Sequence, residues 1–212
     1  SLLMAALPDA SRDIYQRLSP AGQFDLSGRV SSRSGADSID YDLTARVAGT
    51  TVSLPTAARL TRVAAQVHIT PGRLRVTSAQ AMLGASALSG DGWLSTASDP
   101  EPFSARVACE RLMLDDHLRA ALPPDFQRFW DTFRPAGAAR VELRCERRGV
   151  DPGAAGTDEP IDYALRVEPL GASATFEDFP LPLEDLYGAY TATPGGVEIH
   201  HMRARSGQAS IS

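Results

Sequence analysis

The chain has 212 residues, a formal net charge of −5 and a pI near 5.4, which excludes a broad basic footprint for nucleic acid. At 43% hydrophobic and 22% charged residues it has ordinary globular usage, which excludes wholesale disorder. No segment reaches the roughly 18 consecutive apolar residues of a membrane span. All 21 basic residues are arginine, and neither lysine nor asparagine occurs, a bias expected of a GC-rich bacterial genome.

Taken in chain order, the first expected element is a helix over Asp9–Leu18, with Ala10, Ile14 and Leu18 on one face and Asp9 as its N-cap. Period-2 alternation then takes over, the pattern of strands with one solvated face. Phe24, Leu26 and Val30 alternate with polar residues, as do Ile39, Tyr41, Leu43, Ala45 and Val47. Val63, Ala65, Val67 and Ile69 form a further strand. A turn at Pro71-Gly72 follows, and then a strand carrying Leu74 and Val76. Gly-Asp-Gly at 90–92 reads as a turn or bulge rather than a phosphate cradle. Phe103, Ala105, Val107 and Cys109 alternate again. Two short helices are expected over Asp115–Ala121 and Pro124–Phe133, the second with Phe126, Phe129, Trp130 and Phe133 on one face. Val141, Leu143 and Cys145 then resume the alternation.

The chain also repeats itself. Leu7-Pro8 and Pro20-Ala21-Gly22 recur as Leu122-Pro123 and Pro135-Ala136-Gly137 at an offset of 115. Ile39-Asp40-Tyr41 recurs as Ile161-Asp162-Tyr163 at 122, the added residues falling in a Gly-, Pro- and Asp-rich loop around 149–160. Thr70-Pro71-Gly72, Leu60 and Gly84 recur as Thr193-Pro194-Gly195, Leu183 and Gly207 at 123. We therefore expect a first repeat over residues 1–122, starting at the end of a preceding linker, and a second, truncated repeat over 123–212. Together they would be one continuous unit of a longer array. Each repeat holds about six strands and a short helical linker. The fold expected is mainly β: an elongated, curled antiparallel sheet forming an open groove of repeated units.

A one-sided sheet of that length needs a cover for its apolar face, because each large side chain left in water forgoes about 1.5–3 kcal/mol. Two ten-residue helices are too few. The alternatives are closure or a ligand. Phe24, Leu26, Tyr41, Leu43, Val67, Ile69, Leu74, Val76, Phe103, Val107, Val141, Leu143, Leu165 and Val167 all fall on the apolar phase. They are expected to line one continuous concave face that holds acyl chains.

Catalytic chemistry is not expected. GxSxG, HExxH and phosphate-loop motifs do not occur. His200-His201 suggests a metal site with Glu198 and His68, but neighbours on a strand point to opposite faces, so no metal or other cofactor is expected. Asp115-Asp116-His117 reads as a helix start. Cys109 and Cys145 read as buried thiols, with a disulfide between them left open.

The pattern resembles the bacterial AsmA-like envelope proteins, relatives of TamB and YhdP. The resembling segments are Pro-Ala-Gly followed by an alternating strand at Pro20 and Pro135, and the hairpin Leu60-Thr61-Arg62-Val63 to Ile69-Thr70-Pro71-Gly72-Arg73-Leu74 with Leu83-Gly84-Ala85. The junction Leu112-Met113-Leu114-Asp115-Asp116 through Leu122-Pro123 resembles their inter-module linker. The resemblance implies a repeating β-groove of the bridge-like lipid-transfer type. Its partners would be phospholipid acyl chains and neighbouring repeats of the same chain. It further implies a periplasmic location, anchored at the inner membrane through a segment outside this sequence. The competing class is a structural or assembly module that binds extended polypeptide at a sheet edge during outer-membrane protein biogenesis.

Overall fold

The computed structural model describes residues 21–32, 39–54, 58–96, 101–148, 161–177 and 179–211. Eleven strands form one antiparallel sheet in which every strand pairs with its neighbours in sequence. They are β1 (Ala21–Ser32), β2 (Ile39–Ser53), β3 (Arg59–Thr70), β4 (Arg73–Leu83), β5 (Ser86–Ser95) and β6 (Phe103–Leu114), then β7 (Gly137–Arg147), β8 (Asp162–Phe176), β9 (Phe179–Thr193), β10 (Gly196–Ser206) and β11 (Ala209–Ile211). Helices α1 (Asp116–Ala121) and α2 (Pro124–Phe133) join β6 to β7. The sheet is mainly β in the sense expected, and it is open: β1 and β11 are its two outer strands. The expected helix over Asp9–Leu18 and the loop around 149–160 lie outside the described residues.

Local chemistry sets the connections. Between β3 and β4 the chain reverses in two residues, with Gly72 at φ +74°, the value the second turn position of a Pro-Gly type II turn requires. Asp115 caps α1, its Oδ1 accepting from the Leu118 N–H at 3.1 Å. In α2, proline occupies the first position, where its missing N–H costs nothing. Arg134 ends that helix in the left-handed region. The aromatic stripe on α2 packs at one end only. Phe133 stacks on Phe176 of β8 with ring centroids 5.1 Å apart, while Phe126 and Phe129 stay exposed.

The Gly90-Asp91-Gly92 segment corrects an expectation. It is no turn but the middle of β5. A Cβ at Gly90 or Gly92 would sit 2.7 or 2.6 Å from a β6 carbonyl oxygen, so the glycines permit a close strand approach. The irregularity belongs to the neighbouring strand, where two β4 residues, Thr77 and Ser78, oppose Asp91.

Strand register repeats along the sheet. Phe24 pairs with Val47 as Ala139 pairs with Pro169. Leu43 pairs with Ile69 as Leu165 pairs with Ala192. Val67 pairs with Val76 as Tyr190 pairs with Ile199, and Ala81 pairs with Leu88 as Ala204 pairs with Ile211. Each correspondence keeps the offsets of 115, 122 and 123 found in the sequence. The irregularities repeat as well. Gly49 and Gly171 take φ of +65° and +71°, and Arg62 and Asp185 take +51° and +50°. Tyr41 and Tyr163 stand at equivalent places, opposite Val30 and Cys145. The register of β1–β5 thus recurs in β7–β11, with β6 and the two helices between them.

Candidate functional site: a continuous apolar face

Directly opposed residues of antiparallel strands point to the same face, so register decides which side chains share a surface. One row runs across ten strands through Phe24, Val47, Ala65, Ala79, Gly90, Val107, Leu143, Leu165, Ala192 and Val197. No member is polar. The next row carries Leu26, Ala45, Val67, Val76, Gly92, Ala105, Cys145 and Tyr163. Beyond it come Leu43, Ile69, Leu74, Leu94 and Phe103. Tyr41 lies two residues from Leu43, and Val141 and Val167 lie two residues from Leu143 and Leu165, which keeps all three on this face. The pairing therefore brings all fourteen sequence-selected residues to one side of the sheet. Val47 stands in the same alternation as Leu43, and Val197 and Ile199 join the face from β10. Tyr190 and Ala192 on β9 were reachable only through the repeat, as the counterparts of Val67 and Ile69 at an offset of 123.

Much of this face meets solvent. Phe24 is 43% exposed, Leu26 46%, Val107 37%, Val197 65% and Ile199 57%. Among the described residues the buried apolar side chains include Cys109, Leu112, Ala139 and Val167 and a small core of Ala172, Leu186 and Ala204, with Ala58 and Leu83 buried on the first half of the sheet. Most of the buried side chains are small, so the sheet hides little apolar area from water. Tyr190 of β9 is the partial exception, since burial pushes its phenol above the ordinary range.

The opposite face is a lattice of ion pairs. On β6, β7 and β8, Glu142 sits 2.7 Å from Arg144 and 3.8 Å from Arg106. Arg140 reaches Glu110 at 2.7 Å and Glu168 at 3.3 Å, and Arg166 holds Glu168 at 2.8 Å. Hydrogen bonds from Arg144 and Arg166 hold the Glu142 and Glu168 carboxyls below the usual carboxylate range. On β4 and β5, Arg73 lies over the Trp93 ring at 4.7 Å. One side of the sheet thus carries charged side chains and the other is largely apolar, with Arg147 opposite Phe103 at one end of it.

The remaining sequence candidates do not converge. His200 is the extra residue of a bulge in β10, and its Nε2 lies 2.9 Å from the Thr191 hydroxyl. His68 pairs with Asp42 at 2.6 Å on the other half of the sheet. Among the described residues no group of His, Cys, Asp and Glu is arranged to hold a metal ion. Cys109 opposes Val141, and Cys145 lies four residues further along β7, about 13 Å at strand rise. That separation is beyond disulfide reach, and both thiols are free. Burial pushes both above the ordinary thiol range.

Comparison with known proteins adds no identification: no family model, no curated protein and no solved structure matches this chain. The AsmA-like resemblance rests on the strand, turn and linker pattern quoted above.

Proposed function

We propose that this chain is a non-enzymatic lipid-binding and lipid-conducting segment of a bacterial envelope protein of the AsmA-like kind. Its apolar face would hold acyl chains, and its ion-paired face would meet water. The observation that carries the reading is the row from Phe24 to Val197, apolar across ten strands, with large side chains half exposed at several points. Transfer of a methylene from water to hydrocarbon stabilises by about 0.8 kcal/mol, so an acyl chain laid along the face offsets the exposure of that row. Such binding needs no fixed polar contact with the hydrocarbon. A chain could therefore move along the track without a succession of specific sites.

The test is a double substitution, Val67→Asp with Val107→Asp, on adjacent rows of the face. Purified protein is extracted with organic solvent and its phospholipid is measured by mass spectrometry, with thermal melting in parallel. Native protein should carry phospholipid. The variant should lose most of it and keep its melt, because carboxylates on an open face stay hydrated whereas in a packed core they are strongly destabilising. A collapsed melt would overturn the open-face reading. A retained melt with undiminished lipid would overturn the assignment of these residues.

A further inference from the structure

β5 and β6 separate before they end. Their pairing runs from Leu94 opposite Phe103 to Ser89 opposite Ala108, although β5 starts at Ser86 and β6 continues to Leu114. Past that point a side chain links them, the buried Ser86 hydroxyl accepting from the Met113 N–H at 2.8 Å. On β6, Glu110 and Arg111 together oppose Arg140, a bulge of the kind that bends its strand. The separation leaves a hollow of about 820 Å³ on the ion-paired face, where Gln80, Ser89 and Ala108 lie in one row with Glu142. Met82, Ala87, Ala108 and Met113 supply its apolar walls, with Arg62 and Arg111 beside them.

The second repeat closes the equivalent place with its own side chains. Thr61 pairs with Met82 as Glu184 pairs with Arg205, and the left-handed backbone of Arg62 returns at Asp185. There Arg205 reaches Asp185 at 3.5 Å. In the first repeat the same two positions hold a thioether and a guanidinium, which make no ion pair. Among the described residues neither Arg62 nor Arg111 has an ion-pair partner, and the one acid lining the hollow, Glu110, is held by Arg140 at 2.7 Å. We propose that the hollow between β5 and β6 binds a single-chain amphiphile with an oxyanion head, a carboxylate or a phosphate. The head takes the Arg62 and Arg111 guanidiniums, whose forked donors match such oxygens. The tail covers Met82 and Met113, flexible side chains that conform to it. A neutral lipid lacks the head, and free phosphate lacks the tail. The site lies across the sheet from the proposed acyl track and is independent of it.

Methionines report on both faces, Met82 and Met113 in the hollow and Met202 opposite Gly188 on the apolar side. The full chain, labelled at its methionine methyl groups, is titrated with octyl phosphate, inorganic phosphate or octanol and followed by NMR, with thermal melting in parallel. Met82 and Met113 should shift together and saturate at lower octyl phosphate than Met202. Octyl phosphate should bind there at least tenfold more tightly than inorganic phosphate, since each methylene taken from water contributes about fourfold. Arg111→Gln should weaken it about fivefold, the upper range for an exposed charge contact, and octanol should bind more weakly still. Arg62→Asp with Met82→Arg installs the ion pair of the second repeat. That variant should keep its melt and lose binding, read at Met113. Octanol or inorganic phosphate binding as tightly as octyl phosphate would overturn the proposal, as would unchanged affinity in either variant. Met202 shifting first would put the amphiphile on the apolar face, which overturns this site and leaves the acyl track standing.

Discussion

β1 and β7 are the same strand in two settings. Phe24 and Leu26 of β1 are nearly half exposed, whereas their counterparts Ala139 and Val141 are buried or half-buried between β6 and β8. Ala139 is 1% exposed. The register to the following strand is identical, so local sequence is sufficient to specify pairing on that side. What differs is the neighbour on the other side and the helical connection above it. Burial in this protein is therefore a property of position in the sheet more than of residue type, and large apolar side chains at the periphery remain in contact with water.

The comparison is sharpest in the small core of the second half. Leu186 is buried beside Ala172 and Ala204, and its counterpart Val63 is only half-buried opposite Thr50. Leu186→Ala should cost about 2–3 kcal/mol in urea unfolding, and Val63→Ala about 1 kcal/mol or less. Equal losses would mean that the two halves are packed alike, against the difference seen in their burial.

A smaller effect is expected at the paired left-handed glycines. Gly49→Ala meets open space and should cost only the backbone strain of about 1 kcal/mol. Gly171→Ala brings a Cβ within 2.9 Å of the Tyr187 hydroxyl, so it should cost visibly more by thermal melting. If the order reverses, the repeat of backbone geometry does not extend to its surroundings.

Among the described residues, Arg–Glu pairs concentrate on β6–β8, whereas β2 and β3 carry the His68–Asp42 pair. The carboxyls of Glu142 and Glu168 have folded pKa values below their unfolded ones, near about 4.3. Their contribution is complete above that unfolded value and is lost as pH falls through the depressed folded values. Melting temperature should thus fall modestly on acidification below pH 4. The fall should shrink in 1 M salt, where the screening length is about 3 Å. Substituting Glu142→Gln should remove part of this pH dependence, and an unaltered acid profile would show that the pairs contribute nothing.

The smallest effect is kinetic. Cys109 is more deeply buried than Cys145, so a thiol reagent at neutral pH should label Cys145 first and both slowly. Rapid labelling of Cys109 would indicate that the β6–β7 contact opens readily.

Much of this architecture was legible without coordinates. Alternation identified the apolar phase because a strand's side chains have a period of 2, and a one-residue slip would turn each of them to the other face. Collinear matches at 115, 122 and 123 anticipated a register that recurs down to its bulges. Asp115 announced the first helix as its N-cap, and the spacing of Phe126, Phe129, Trp130 and Phe133 announced the second. Other features were hidden. Gly90 and Gly92 look like a turn or bulge in sequence because glycine serves turns, bulges and close strand contacts alike, and the register shift that does occur there lies in β4 opposite them. Only the 2.7 and 2.6 Å approach of β6 carbonyls identifies the close contact. Likewise, the spacing of Cys109 and Cys145 leaves a disulfide open until register sets them four residues apart along one strand.

The sequence by itself determined strand periodicity, the helix caps, the repeat and which side chains share a phase, because these depend on neighbours within a few residues. Tertiary structure decided which phases join into one surface and which apolar residues are covered. Those outcomes depend on hydrogen-bonded register between segments far apart in the chain, which no local preference encodes.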